Sequence, residues 1–372
     1  MAAGVYLHIP FCKSRCSYCD FATDVYRDSG AVERYVDAIC TEINGFAKDG
    51  IEADTIYFGG GTPSLLTSHQ VERILDTAGT KFAISNRTEI TMEMNPATVT
   101  PEALAAYRAA GVNRASFGVQ TFDDRDLKLL ARGHDANDAR ETFRMLREAG
   151  FDNISFDLIA GLPGQTLDQW RRNLDEAIGL SPEHISLYLL EIHEGTPLAE
   201  QVRSGRRPDP DDNVAAEMYE AMIDTLADVA YEQYEISNFS RPGFESRHNI
   251  KYWRLEPVYG FGVSAHSFDG SRRYANERDP AKYVDLISQH GTAEVMREDI
   301  DKRSEFIFLR LRLNEGIDLD EFHDRFGSEL IESHANEIED LLDKDLLEFD
   351  GRTLRLTRKG RLFSNEVFAA FV

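Results

Sequence analysis

The sequence predicts an α/β protein: an incomplete parallel (β/α)6, TIM-like barrel followed by a small helical, winged-helix-like domain. Three observations predict it. Up to about residue 195, short apolar runs alternate with amphipathic helical patterns, the mark of repeated βα units. Six such units can be found, not the eight that close a full barrel. Near Arg297 the texture changes to closely spaced helical patterns and a terminal hairpin.

The expected strands cover residues 5–10, 55–60, 89–95, 114–120, 153–161 and 184–192. Between them, helical periodicity runs over 31–48, 68–82, 101–110, 135–149 and 167–180, and Gly111 and Gly150 stand where a helix must stop before the next strand. Residues 213–230 read as a further helix and 231–239 as one more strand. Beyond them Gly, Pro and aromatic residues dominate to about residue 270, so an irregular flank is expected there. Beyond Arg297, RSEFIFLRLRLNEGIDLDEFHDRFG (303–327) reads as helix, loop and helix, residues 330–346 as another helix, and LEFDGRTLRLTRKG as a hairpin turning at Asp350-Gly351. The expected domains are 1–290, barrel plus flank, and 297–372.

Composition narrows the function. An apolar fraction of 42 % without any run near 18 apolar residues gives no reason to expect a membrane span. The start, MAAGVYLHIPFCKS, lacks the pattern of a secretory leader, so the cytoplasm is the expected compartment; a peripheral position at the inner membrane face is compatible with it. A formal net charge of −24 argues against nucleic acid as a partner, because that affinity comes mainly from Lys and Arg displacing counterions.

Three of the four cysteines, Cys12, Cys16 and Cys19, crowd into one short segment, which in a reducing compartment reads as metal binding. Cys40 instead shares a helical face with Val32, Tyr35, Val36, Ile39 and Ile43 and is expected to be a core thiol. The spacing C-x3-C-x2-C follows the first strand. Three thiolates can hold three corners of an iron–sulfur cubane and leave one iron open. The alternative, structural zinc completed by His8, fits less well because no second C-x2-C pair faces the first. After the second strand comes Gly59-Gly60-Gly61-Thr62-Pro63, where missing Cβ atoms allow close backbone approach to a ligand. Glu93, Gln120 and Asp157 interrupt otherwise apolar strands near their C-terminal ends, where barrels build their sites. Singly, each reads equally well as a structural ion pair; together they favour a shared ligand site, with Arg132 as the candidate counter-charge.

With this cysteine spacing, and the glycine loop one βα unit later, the chain resembles the radical S-adenosylmethionine superfamily. That resemblance implies a [4Fe–4S] cluster whose open iron is chelated by S-adenosylmethionine. Over nearly the full length, YLHIPFC, GGGTPS, GVQTF and DLIAGLPGQT are similar to the oxygen-independent coproporphyrinogen III oxidase family. By that likeness Tyr6, Gly60, Gly61, Thr62, Glu93, Gln120, Arg132 and Asp157 contact the nucleoside or methionine, and Tyr18 packs against the adenine, the cluster or simply the core.

Two departures point to one branch of that family. The oxidases continue C-x2-C-x-C, whereas this chain reads Cys19-Asp20-Phe21, and their longer segment before the first strand has no counterpart. Residues 248–253, HNIKYW, match a pattern of the heme chaperone branch, and Gly260 to His266 resembles the family's G-x-G-x-x-A-H segment. The resemblance implies heme as cargo and apo-hemoproteins as acceptors. It offers His248 as an axial heme ligand with Tyr252 and Trp253 facing the porphyrin; the other reading of the segment is closure of the barrel edge. The alternative function is oxidative decarboxylation of coproporphyrinogen III, against which the missing fourth cysteine argues. Cleavage of S-adenosylmethionine and dimerisation are left open.

Overall fold

The computed structural model describes residues 2–26 and 28–371. Its centre is a twelve-stranded sheet. In chain order the strands are β1 (Ala3–Ile9), β2 (Ile51–Gly60), β3 (Phe82–Met94), β4 (Arg114–Gln120), β5 (Ile154–Ala160), β6 (His184–Leu189), β7 (Glu232–Gln233), β8 (Asn238–Ser240), β9 (Val258–Phe261), β10 (His266–Phe268), β11 (Arg272–Asn276) and β12 (Glu294–Asp299). They lie in the order β12-β11-β10-β9-β1-β2-β3-β4-β5-β6-β8-β7. The run from β9 to β6 is parallel throughout, and both flanks are antiparallel. The sheet keeps two free ends, as the six-unit count requires.

Alternation along these strands sorts the side chains into two sets. One set is apolar and buried: Val5, Leu7 and Ile9 on β1, Met92 and Met94 on β3, Ala115, Phe117 and Val119 on β4, Phe156 and Leu158 on β5. It forms the main core with helix residues such as Val36, Ile39, Ile74, Leu104, Leu146 and Trp170. The other set is polar or glycine: Tyr6 and His8, Thr55 and Tyr57, Glu89 and Glu93, Arg114 and Ser116, Ser155 and Asp157, His184 and Ser186. Register lines these up across the sheet, with Tyr6 opposite Tyr57, Glu93 opposite Ser116, and Asp157 between Gly118 and Ser186. A barrel interior normally fills with branched apolar residues. This one is polar, which costs free energy unless its groups pair, and many do: Ser155 meets His184 at 2.8 Å, His184 meets Tyr234 at 2.8 Å, and Tyr57 donates to Glu93 at 2.8 Å.

The connecting helices start where short polar side chains satisfy their first N–H groups. Thr67 with Gln70, Asp135 with Asp138, and Thr166 with Gln169 each form a capping box, which places the start of the following helix.

The flank departs from expectation. Residues 231–239, read as one strand, split into β7 and β8; β8 pairs antiparallel with β6, and β7 pairs antiparallel with β8 at the edge. The segment expected to be irregular supplies β9, parallel to β1, and β10, and β11 and β12 follow it. β9 and β10 are only four and three residues long, too short to show alternation, yet they pair an edge that β1 would otherwise leave open. Gly260 is obligatory there, because a Cβ would lie 2.4 Å from the His266 carbonyl oxygen.

After β12, helices Lys302–Arg310 and Leu319–Phe326 follow the expected helix–loop–helix. The helix expected over 330–346 breaks into Leu330–Ser333 and Ala335–Asp343. The hairpin Leu347–Phe349 with Thr353–Leu356 is present and gains Ile317–Asp318 as a third strand. Phe306, Ile307, Phe322, Ile338, Leu354 and Val367 form a second apolar core, joined by Ile236, Leu255 and Phe268 from the flank.

Candidate functional site

At the C-terminal ends of the parallel strands lies a cavity of about 420 Å³. Cys12, Cys16 and Cys19 line it with Tyr18, Gly60, Gly61, Glu93, Gln120, Arg132 and Asp157. Residues scattered over 146 positions of sequence, from Cys12 to Asp157, therefore meet on one wall.

Local folding explains how each arrives. Cys12 ends a short extended stretch held by Asp24 N–H on Pro10 O and Tyr26 N–H on Cys12 O, both at 2.8 Å. Cys16 and Cys19 sit on a turn closed by Cys19 N–H on Cys16 O. Ser17, between them, anchors that turn: its N–H reaches Leu130 O, its hydroxyl reaches Leu129 O, and its carbonyl accepts from Leu198 N–H. The glycine loop has a steric reason as well as a ligand-facing one. A Cβ on Gly61 would sit 2.7 Å from Pro10 O, and Gly60 has φ +115°, which L side chains rarely adopt. Without glycines the loop could not lie against the cysteine segment. Gln120 holds φ +68° after a register shift in β4, so the strand bulges and aims its end at the cavity.

All four cysteines are free and half-buried. Burial pushes the Cys12 thiol up, and the Thr62 hydroxyl, 3.7 Å from its sulfur, works the other way. Arg132 donates to Cys16 Sγ at 3.4 Å, to Gly118 O at 2.7 Å and to Asn95 Oδ1 at 2.8 Å. Asn95 in turn donates to Thr62 at 2.8 Å. Among the described residues no three His, Cys, Asp or Glu side chains gather as they would around a single metal ion. A cubane is a larger body that spreads its thiolates around several irons, and three soft thiolates beside a polar cavity suit it, with no fourth cysteine at hand. Cys40 lies elsewhere, packed against the main core.

Buried carboxylates set the electrostatics. Burial, with Asp157 nearby, raises the Glu93 carboxyl to about 7, although Tyr57 O–H and Gly60 N–H both donate to it. Asp157 is raised by burial and lowered in part by Ser186, Arg114 and Arg132. Arg114, buried in β4, thus acts on both carboxylates, whereas Arg132 acts on Asp157 and is mostly engaged with the cysteine turn and Asn95. Arg132 thus serves as a counter-charge to Asp157, and Arg114 is a second one that reaches both carboxylates.

A model of the radical SAM superfamily matches residues 6–177, and one of the HemN C-terminal domain matches residues 298–363. The chain is 38 % identical over 377 aligned residues to the heme chaperone HemW of Bacillus subtilis (strain 168), covering 99 % of each. It is 34 % identical to the HemW of Lactococcus lactis subsp. lactis (strain IL1403), over 99 % of this chain and 97 % of that one. The chain belongs to the HemW family. The solved coproporphyrinogen III oxidase HemN of Escherichia coli, described as a radical SAM enzyme, superposes with a TM-score of 0.87 at 25 % identity, over 100 % of this chain and 90 % of that one.

In this HemW-family chain the HNIKYW segment is not in the cavity. It forms a helix, Arg247–Trp253, on the far side of the polar interior. His248 is 1 % exposed, its Nδ1 2.9 Å from Thr55 Oγ1 and its Nε2 3.3 Å from the Tyr252 hydroxyl. It stacks on Tyr57 and Tyr6. Burial, then Lys251 and Arg114, pushes it down to about 3, so the ring is neutral and both nitrogens are engaged. As placed here, both nitrogens of His248 have protein partners, so service as an axial heme ligand would require the helix or the ring to move. Tyr252 closes that buried cluster, and Trp253 turns the other way to lie under the Arg312 guanidinium at 4.3 Å. Neither faces a ligand cavity. Tyr6 and Thr62 also stand outside the cavity wall, Tyr6 bonded to His8 at 3.0 Å and Thr62 supporting Cys12 and Asn95 from behind.

Sequence reasoning missed Arg114, Asn95, Tyr188 and His193. Arg114 opens the strand RASFGVQ in phase with Ser116 and Gly118, so its inward position was readable from period two. Tyr188 follows His184 and Ser186 in the same phase on β6 and was readable in the same way, whereas His193 carries no such signal because it lies beyond the end of that strand.

Proposed function

We propose that this chain is a heme chaperone, taking up heme and passing it to apo-hemoproteins, with a three-cysteine [4Fe–4S] cluster and S-adenosylmethionine as its resident groups. The observation that carries the reading is likeness to proteins named heme chaperone over 99 % of the chain, at 38 % identity. Phe21 supports it, standing at the cavity where the likeness to the oxidases calls for a fourth cysteine.

In this reading Cys12, Cys16 and Cys19 hold the cluster. Thr62 and Arg132 donate toward two of the sulfurs and spread their charge. When bound, such a cluster offers an open iron for chelation by the methionine and an electron for sulfonium cleavage. Glu93 and Asp157 present carboxylates to cationic or hydroxyl groups of the ligand, Gln120 supplies an amide, and Gly60 and Gly61 let the backbone approach it. Tyr18 covers one side. Arg114 lies beneath and keeps two buried acids tolerable together. Cytoplasmic residence, with or without a peripheral visit to the inner membrane face, suits a cargo carrier. Among the described residues no helix is long and apolar enough to cross a membrane.

The second reading, oxidation of coproporphyrinogen III, is favoured by the likeness to the HemN structure. One experiment separates them. Anaerobically reconstituted protein is titrated with heme and, in parallel, supplied with coproporphyrinogen III, S-adenosylmethionine and a reductant. Stoichiometric heme retention without release of carbon dioxide is expected; turnover without heme retention overturns the chaperone reading.

A further inference from the structure

We propose that a second, smaller cavity beside Cys16 binds a small oxyanion of the phosphate class, held by Lys13, Ser14 and Arg132 and read by His134. This site goes beyond the chaperone reading and does not depend on what cargo the protein carries.

The smaller cavity has a volume of about 60 Å³. Three segments wall it: Lys13 and Ser14 from the cysteine segment, Asn95 to Thr98 after β3, and Arg132 to His134 ahead of the helix Ala136–Glu148. Cys16, Asn95 and Arg132 line it and the main cavity alike. Space of this size takes a few waters or one compact ion, and no nucleoside or macrocycle.

Charge decides the class of ligand. The chain carries a net −24, and Glu93, Asp157, Asp20 and Glu191 line the main cavity. The smaller cavity, among the described residues, is lined by no carboxylate and by two cations, Lys13 and Arg132. The acids at the start of the adjoining helix, Asp135 and Asp138, are each engaged with the other's backbone N–H at 2.9 Å. An anion is favoured in such a place and a cation is not.

The hydrogen-bonding groups narrow it further. Arg132 uses its two terminal nitrogens on Cys16, Asn95 and Gly118, while its Nε is buried with no partner. A bound ligand satisfies a buried donor of this kind. Among the described residues, Lys13 and Ser14 make no hydrogen bond or ion pair. The Thr62 hydroxyl is engaged with Cys12, and that of Thr98 with the Asn95 carbonyl at 2.6 Å. Three single donors from separate side chains suit a tetrahedral oxyanion, whereas a planar carboxylate is best met by a guanidinium fork, which here is occupied. His134 adds an acceptor. Its Nε2 lies 3.3 Å from the Val119 carbonyl, which puts the proton on that nitrogen and leaves Nδ1 bare. Burial, then Arg132, pushes the ring down to about 4, so it stays neutral. Monohydrogen phosphate has an O–H to donate to Nδ1, and sulfate has none. An anion bound here ties the cysteine segment to the two neighbouring loops and slows the loss of iron.

The test is calorimetric titration of the full-length, cluster-loaded protein in phosphate-free buffer with inorganic phosphate, sulfate and glycerol phosphate. One equivalent of phosphate per chain is expected to bind, with sulfate weaker by about tenfold for want of the O–H. Lys13→Gln should weaken phosphate by about tenfold, and Ser14→Asp should abolish its binding by setting a carboxylate in the cavity. Both side chains are exposed, so the fold accommodates these changes, and affinity for S-adenosylmethionine in the main cavity should stay as it was. A chelator should strip iron more slowly when phosphate is present, with no such difference in Ser14→Asp. Glycerol phosphate binding as tightly as the free ion assigns the phosphoryl end of a larger ligand; binding of the free ion alone assigns inorganic phosphate. No saturable binding at millimolar phosphate overturns the site, as does binding that both variants leave unchanged. Sulfate binding as tightly as phosphate removes His134 from it, and unchanged iron loss removes the tie to the cysteine segment.

Discussion

Glu93 and Asp157 face the same cavity from neighbouring layers of β3 and β5, with the Arg114 guanidinium buried below them. In the free protein Glu93 keeps its proton up to about 7, mainly through burial. A cationic ligand favours the ionised form, so binding below that pH must release a proton. Affinity for S-adenosylmethionine is expected to fall as pH drops from 8 through about 7 to 6, approaching tenfold per unit at the acid end. Glu93→Gln should flatten that profile; equilibrium binding across the range checks it, and an unchanged slope refutes the role. The cysteines make a simpler prediction. Replacing Cys12, Cys16 or Cys19 by Ala should abolish cluster assembly, whereas Cys40→Ala should keep a full complement of iron and sulfide, since Cys40 packs with the core.

The helix Arg247–Trp253 is held in place from several sides. Ser246 caps it, Glu89 accepts from the His248 N–H, and Lys251 pairs with Asp54 at 2.8 Å and Glu256 at 3.0 Å. It plugs the end of the polar interior opposite the cavity. His248→Ala leaves the Thr55 and Tyr252 hydroxyls without their ring partner and opens a void, a loss of roughly 2–4 kcal/mol. Urea denaturation should report that loss. Loss of the axial heme-ligand signature in a folded His248→Ala protein would show that the helix or the ring moves to meet heme. The glycine loop is the counterpart at the other end: Gly61→Ala would drive a Cβ into the Pro10 carbonyl, so the loop must shift and the cluster segment with it.

Across the whole molecule, Arg312 ties the C-terminal region to the barrel flank. Its guanidinium lies over Trp253 at 4.3 Å and 3.8 Å from the Glu235 carboxylate, which is 1 % exposed. Burial raises Glu235, and Arg312 is the largest influence holding it down. Arg312→Ala strands a buried carboxylate and is expected to cost about 2 kcal/mol or more. Adding Glu235→Gln should recover part of that, a coupling that a double-mutant cycle on unfolding free energies measures. Additive effects would show that the two side chains do not interact. Leu313 also bridges Glu235 through the backbone, and Arg254 pairs with Glu315 at 3.2 Å, so several contacts join these regions.

The order of the βα units, the cysteine segment and the inward carboxylates were legible in the sequence because each rests on local chemistry. Strand period two places Glu93 and Asp157, capping residues start the helices, and thiol spacing singles out three cysteines. What lies opposite a residue is not local. The sequence could not tell that His248 is walled in by Thr55, Tyr57 and Tyr252, or that His193 and Phe21, 172 positions apart, reach one cavity mouth. Nor could it show that Val258–Phe261 pairs with β1, since four residues carry too little periodicity to declare a strand and only the unpaired edge of the barrel makes them one.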